Sequence, residues 1–373
     1  MVNQNSQLKI VIAAGGTGGH LFPAQALAGD LRKYAPGIAI AFLGAHLSRN
    51  PYFDQTHFQS KDIASATISK KRVFQLFRSL WSLQKGLLQA LAFFRKFRPA
   101  AVIGFGSFYS LPTLAAAKIR GIPIILFESN VLPGRVNRFC SRWAKVSAVQ
   151  FFVSQLRLKG ETVCVKMPLL KRQQAVTQSE ARHYFQLDPE KLTLLVFGGS
   201  QGAQPINCLV CGALESLIAR AIDFQVIHVV GSEQRAEKLR AVYAKHGVLA
   251  CVKSFENRMD LAWTAADLSI SRAGSATLAE QIEFCVPGIL IPFPHGTDNH
   301  QALNAAFVEE EIGGAIELTQ SRRASSQLVD IMSDLLASSQ KKLTAMKMAL
   351  VKYKEQEKKE DLAKVVLDTL RLT

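Results

Sequence analysis

Short apolar runs recur along the chain, at 8–14, 38–43, 101–104 and 122–127, then at 192–197, 225–230, 268–271 and 288–291. Each is too short for a helix, and most are apolar on both faces, as strands of a covered parallel sheet are. Between them lie stretches with helical spacing. The order strand, loop, helix, repeated through both halves, predicts an α/β chain of two doubly wound parallel-sheet domains facing a cleft. The boundaries expected are 1–165 for the first domain, 166–178 for a polar linker, 179–340 for the second domain, and 341–373 for a charged amphipathic helix packing back toward the first.

One helical stretch is unusual. Apolar residues at 73, 76, 77, 80, 83, 87, 91 and 94 form a stripe expected to pack on the sheet, with Phe74 and Trp81 toward its edge and basic clusters at both ends. Charge sharpens this reading. Residues 1–165 carry 21 Lys and Arg against 5 Asp and Glu, whereas the rest carry 24 of each. A basic first domain implies an anionic partner. Aromatic rings beside cations suit a membrane surface, because apolar area enters the headgroup boundary while cations meet anionic lipid. Phe74, Arg78, Trp81 and Lys85 are the expected contacts. A nucleic-acid partner is not expected, since no base-reading module is recognisable. Residues 1–7 are polar and show no leader pattern, no apolar run has the length of a membrane span, and Cys208 and Cys211 read as a packing pair on a helix.

The loops after the strands hold the chemistry. Gly15-Gly16-Thr17-Gly18-Gly19-His20 follows the first strand and opens a helix. Glycine lets backbone N–H groups approach an anion, and the helix dipole favours negative charge there. The loop is not a dinucleotide fingerprint, because Leu21 stands where the last glycine belongs, nor a Walker loop, because it has no lysine. It ends in a histidine, which exchanges protons near neutral pH. In the second half, Gly198-Gly199-Ser200-Gln201-Gly202 and Gly274-Ser275-Ala276-Thr277 are further anion-friendly helix starts. Glu280 lies one turn along and could accept from ribose hydroxyls, while Gln301 and Asn304 could offer amides to a sugar. Taken singly, each motif reads equally as a cap or a turn.

Taken together and in order, these motifs, with Glu128-Ser129-Asn130, Pro133-Gly134, Asn137-Arg138, Ser271-Arg272-Ala273-Gly274, Pro292-Phe293-Pro294-His295 and His300-Gln301-Ala302-Leu303-Asn304, give the chain a family. It resembles the peptidoglycan GlcNAc transferases, the MurG family, whose GT-B fold pairs two Rossmann-like domains. The resemblance implies an inverting glycosyltransferase of cell-wall biogenesis, and so of cell shape and division. It would move GlcNAc from UDP-GlcNAc to the 4-hydroxyl of the muramyl residue of lipid I, giving lipid II, as a peripheral protein on the cytoplasmic face of the inner membrane. It implies no cofactor and no metal, and as partners the two substrates, an anionic membrane and other cell-wall synthesis proteins.

Residue by residue, the resemblance places Ser200, Ser275, Ala276, Thr277, Leu278, Ala279 and Glu280 on the donor diphosphate and ribose. Backbone near Glu256 would read the uracil, Gln301 with Asn130 the sugar, and the loops of the basic first domain, with Thr17, Gly18 and Gly19, the acceptor diphosphate. His20 is the candidate base and Glu128 a weaker one. Three positions depart from the family pattern: Leu170 stands where an arginine is usual, Ser107 where a glycine is, and Phe108 where a tyrosine is. The rival readings are a GT-B transferase with a different lipid acceptor and a UDP-sugar-binding protein with weakened catalysis.

Overall fold

The computed structural model describes residues 7–66, 73–169, 176–199, 202–294, 296–336 and 340–371, and the chain divides into two compact units. The first unit comprises 1–171 and 358–373, and the second 172–357. Along the first run β1 (Lys9–Ala13), α1 (Gly18–Tyr34), β2 (Ala39–Gly44), β3 (Gln59–Asp62), α2 (Val73–Phe97), β4 (Ala101–Gly104), α3 (Leu111–Ile119), β5 (Ile124–Glu128), α4 (Arg135–Cys140), β6 (Val146–Val149) and β7 (Thr162–Lys166). Along the second run α5 (Gln178–Tyr184), β8 (Thr193–Phe197), α6 (Gln204–Ala219), β9 (Gln225–Val229), α7 (Glu233–Lys245), β10 (Ala250–Lys253), α8 (Met259–Ala265), β11 (Leu268–Ser271), α9 (Ser275–Phe284), β12 (Gly288–Leu290), α10 (His300–Ala306), β13 (Ala315–Glu317), α11 (Ala324–Leu335) and α12 (Lys341–Gln356). The chain then returns to the first unit as β14 (Glu360–Asp361) and α13 (Leu362–Arg371).

The tail is therefore two helices, not the single one that its charge pattern suggests. The first packs in the second unit, and a break at Glu357 lets the second join the other unit.

Both sheets are parallel. The first has the order β14-β7-β6-β5-β4-β1-β2-β3 and the second β10-β9-β8-β11-β12-β13. In each, the strand order reverses once, between β1 and β4 and between β8 and β11. Loops leaving the carboxyl ends of two such strands diverge and leave room for a ligand. The apolar runs at these points are buried as expected, with Ile10, Val11, Ile12 and Ala13 of β1 and Leu194, Leu195 and Val196 of β8 fully enclosed. Each such Val, Leu or Ile side chain contributes about 1.5–3 kcal/mol. On one face of the first sheet, α2, α3 and α4 share a core through Ala90, Phe94, Leu114, Ala117, Val136 and Cys140.

α2 differs from its expected packing. Its carboxyl-terminal half is seated, with Ala90 and Phe94 buried, but Phe77 is 67% exposed and Trp81 69%, and Leu80 also faces solvent. The helical stripe is thus split along its length. Gly86 explains where it splits. A Cβ there would lie 1.8 Å from the Ala64 carbonyl oxygen, so the helix backbone rests directly on the loop after β3, and Gln89 Oε1 accepts the Ala64 N–H at 2.7 Å.

Candidate functional site

At the switch point of the first unit, the loop after β1 turns at Gly16, whose φ of +92° favours glycine. α1 begins at Gly18, so His20 sits in its first turn instead of in the loop. Thr17 is the N-cap residue, and its carbonyl accepts from His20 N at 3.1 Å and Leu21 N at 3.2 Å. Thr17, Gly18 and Gly19 thus present the backbone at a helix start, the arrangement that favours an anion.

Beside it, the loop after β5 is organised by Glu128. This buried carboxylate accepts from Asn130 N at 2.9 Å, Asn130 Nδ2 at 3.1 Å, Gly134 N at 2.9 Å and Asn137 Nδ2 at 2.9 Å. Two donors reach each oxygen, which fills the acceptor sites of a carboxylate. Glu128, the weaker of the two expected bases, thus staples the loop that holds Asn130. Asn137, quoted only as part of a motif, turns out to be central, since its amide also reaches Phe127 O and packs against Gly106, whose φ is +79°.

At the switch point of the second unit, Gly274 caps α9 in an extended conformation, and the ladder closes with Leu278 N donating to Gly274 O at 3.0 Å. The N–H groups of Ser275, Ala276 and Thr277 precede that bond and remain outside the helix ladder. The side chains of Leu278 and Ala279 are buried and the Leu278 N–H donates within the helix, so it is through backbone that this part of α9 faces a ligand. Glu280 accepts from the Trp263 indole at 2.8 Å; burial pushes its carboxyl up to about 7, against the pull of that hydrogen bond. The glycine loop before α6 is tight: Gly199 and Gly202 have φ of +85° and +68°, and a Cβ at Gly202 would meet the Val230 carbonyl oxygen at 2.7 Å. Ser200 lies outside the described residues, as do Leu170, Lys171 and Arg172, and so does the side chain of Phe74.

Around α9 the supporting contacts are specific. Arg272, buried, donates to the carbonyls of Ile291 and Pro292 and to Gln320 Oε1, fixing the segment that leads to α10. Gln301 Oε1 accepts Phe293 N at 2.9 Å, which ties the start of α10 to the segment after β12. Asn304, expected at the sugar, is buried, and its amide donates to Ala273 O at 3.1 Å. Glu256, also buried, holds the turn after β10 by accepting from Lys253 Nζ and Arg258 N, each at 2.6 Å. Behind the glycine loop, His228 lies fully buried between Asn207 Oδ1 at 3.1 Å and the Tyr243 hydroxyl at 2.9 Å, and burial pushes it down to about 3. A lone His in an apolar strand gave no sequence signal for this network. Among the described residues no cluster of metal-ligating side chains occurs, and no helix is long and apolar enough to cross a membrane.

The chain is similar to known proteins over nearly its whole length. Residues 10–149 match the glycosyltransferase family 28 N-terminal domain and 193–366 its C-terminal domain. A Protochlamydia amoebophila UDP-N-acetylglucosamine–N-acetylmuramyl-(pentapeptide) pyrophosphoryl-undecaprenol N-acetylglucosamine transferase is 41% identical, over 98% of this chain and 96% of that one. The enzyme of the same name from Chlamydia pneumoniae is 35% identical over 88% and 90%. The crystal structure of Acinetobacter baumannii MurG superposes with a TM-score of 0.75 at 26% identity, covering 98% of this chain and 100% of that one. A UDP-glucose: anthocyanidin 3-O-glucosyltransferase in complex with UDP, 14% identical with a TM-score of 0.70 over 99% and 100%, shares the fold. The two parallel-sheet units are those of a GT-B glycosyltransferase, and the chain belongs to glycosyltransferase family 28, within the MurG group of UDP-GlcNAc hexosyltransferases.

Proposed function

We infer that this chain transfers GlcNAc from UDP-GlcNAc to the 4-hydroxyl of the muramyl residue of lipid I, forming lipid II in peptidoglycan synthesis. One observation carries the reading. A transfer from a nucleoside diphosphate sugar to a lipid pyrophosphate needs two diphosphate sites, and each unit ends its switch-point strands in a helix start suited to one.

On this reading the 275–277 backbone and Ser200 hold the donor diphosphate, Glu280 accepts from the ribose, the backbone beside Glu256 reads the uracil, and Gln301 Nε2 donates to the sugar. Thr17, Gly18 and Gly19 receive the acceptor diphosphate, with Asn130 nearby on its staple. The acceptor oxygen bonds to C1 of GlcNAc from the face opposite UDP while the C1–O bond to the β-phosphate breaks, so configuration inverts. His20 takes the hydroxyl proton as base, and the N-terminus of α9 carries the charge that develops on departing UDP. The exposed face of α2, with Arg78, Trp81 and Lys85, meets the anionic cytoplasmic surface of the membrane, where the acceptor resides.

The test is transfer of radiolabelled GlcNAc to a lipid I analogue by the wild type and His20→Ala. Turnover should fall by about a hundredfold or more in the variant, with UDP-GlcNAc affinity kept. Tight UDP-GlcNAc binding by a wild type that transfers nothing would turn the search to another acceptor.

A further inference from the structure

Gly16 is held from two sides, by Asn50 and by Tyr109. From one side, Asn50 Nδ2 donates to the Gly16 carbonyl at 2.7 Å. Asn50 has no freedom to do otherwise, because its Oδ1 accepts Tyr52 N at 3.0 Å and so turns the amide nitrogen toward Gly16. The turn carrying Asn50 is itself docked on α1. Gln25, buried, donates to Tyr52 O at 2.8 Å and accepts Asp54 N at 2.7 Å, and Tyr52 packs edge-on against Phe22.

From the other side comes Tyr109. A Cβ at Gly15 would stand 3.0 Å from Tyr109 Cβ, and one at Gly16 would stand 3.2 Å from its ring, so the ring lies directly on the loop. Tyr109 is in turn seated by its own loop. Ser107 there adopts φ of +66°, its carbonyl accepts Ser110 N and Oγ, and Ser65 Oγ donates to Phe108 O at 2.8 Å.

A trans peptide points its C=O and N–H in opposite directions. With the Gly16 carbonyl drawn to Asn50, the Thr17 N–H must face away from it. Released, the Gly16 peptide could rotate, because glycine tolerates many conformations, and its carbonyl would then oppose an anion. We propose that Asn50 and Tyr109 are positioning residues that clamp the Gly16 peptide, so that the backbone at Thr17, Gly18 and Gly19 is presented as a preformed diphosphate cradle. The clamp rests on the acceptor-side reading above and deepens it: the cradle is selective for a pyrophosphate because its shape is set before the ligand arrives.

Two readouts test it in the full chain, amide NMR of Gly18 and Gly19 during titration with inorganic pyrophosphate, and steady-state kinetics with the lipid I analogue. In Asn50→Ala and Tyr109→Ala, the apparent pyrophosphate Kd read at those amides should rise about tenfold. kcat/KM for the acceptor should fall by a similar factor, with the KM for UDP-GlcNAc within about twofold of wild type. A lost hydrogen bond of ordinary strength has that size. Tyr109→Phe, which keeps the ring, should behave as wild type, whereas Asn50→Asp, which cannot donate, should behave as Asn50→Ala. Identical pyrophosphate titrations in the alanine variants and the wild type would overturn the clamp, as would wild-type glycine amides that pyrophosphate does not move, or an equal loss on the donor side. A wild type that transfers nothing to lipid I but shows the pyrophosphate response and its loss in the variants would keep the clamp and reject the acceptor.

Discussion

Glu280 lies one turn into α9, where burial pushes its carboxyl up to about 7 while the Trp263 indole pulls the other way. The folded protein therefore holds a proton that the unfolded chain releases, and stability falls as pH rises from the ordinary value of 4.5 to about 7. His228 has the opposite sign. Burial pushes it down to about 3 from 6.5, so the unfolded chain takes a proton that the folded one refuses, and stability falls as pH drops through that window. Where the windows overlap the two slopes oppose each other. Glu280→Gln keeps the acceptor for Trp263 and removes one slope. Denaturant titration should then show the variant gaining on the wild type as pH rises from 4.5 to 7, by up to about 1.4 kcal/mol per pH unit. UDP-GlcNAc adds a second signature. Ribose hydroxyls donating to Glu280 favour its charged form, so calorimetric affinity should strengthen between pH 6 and pH 8 by roughly several-fold in the wild type and stay flat in Glu280→Gln. A pH-independent wild type would remove Glu280 from the ribose.

At the scale of elements, α2 makes the sharpest demand. Its exposed Phe77, Leu80 and Trp81 lie beside Arg78 and Lys85, which also face solvent, and each cation near an anionic surface adds about 1 kcal/mol. Sedimentation with phosphatidylglycerol vesicles should show Phe77→Ala/Trp81→Ala losing about tenfold or more in partitioning, and Arg78→Ala/Lys85→Ala losing binding most at low salt. Unchanged pelleting by both would remove α2 from the membrane. The same helix shows what a sequence withholds. Its period was legible, but the place where it leaves the sheet depends on Gly86 meeting Ala64, a contact between distant segments. The switch-point strands β1, β4 and β8 announced themselves because burial on both faces made them almost wholly apolar, while β11, Leu-Ser-Ile-Ser, was marked by the glycine helix start that follows it. Edge strands did not: β3 reads Gln-Ser-Lys-Asp and β14 is Glu-Asp, so only a neighbour's backbone makes them strands. The glycine loops and helix starts were legible for the converse reason, since local geometry there dictates residue type. Which side chains were already spent was not legible. Glu128 and Asn304 carry the right chemistry for a ligand, and tertiary hydrogen bonds engage both.

Over the whole molecule, the chain closes its first unit with its last residues. Asp361 caps α13 by accepting from Ala363 N at 2.8 Å and receives the Tyr34 hydroxyl from α1, while Glu360 and Asp361 pair with Val165 and Lys166 of β7. Leu362, Ala363, Val365 and Val366 are buried there. Leaving the leucine and two valines exposed would cost about 5 kcal/mol, a large share of the 5–15 kcal/mol that holds an ordinary domain. Removing residues 358–373 should therefore loosen a unit whose other residues end near 171, and leave the second unit, 172–357, largely intact. Hydrogen exchange on the truncated chain should show protection falling in α1, β6 and β7 while β8, β9 and β11 keep theirs. UDP-GlcNAc held at about 100 times its Kd should still raise the stability of the second unit by about 2.7 kcal/mol if the diphosphate, ribose and uracil contacts proposed in that unit carry the binding. Equal loss of protection in both units would mean that they fold as one cooperative body, and the tail would then be a strut of the whole chain instead of the closing element of one unit.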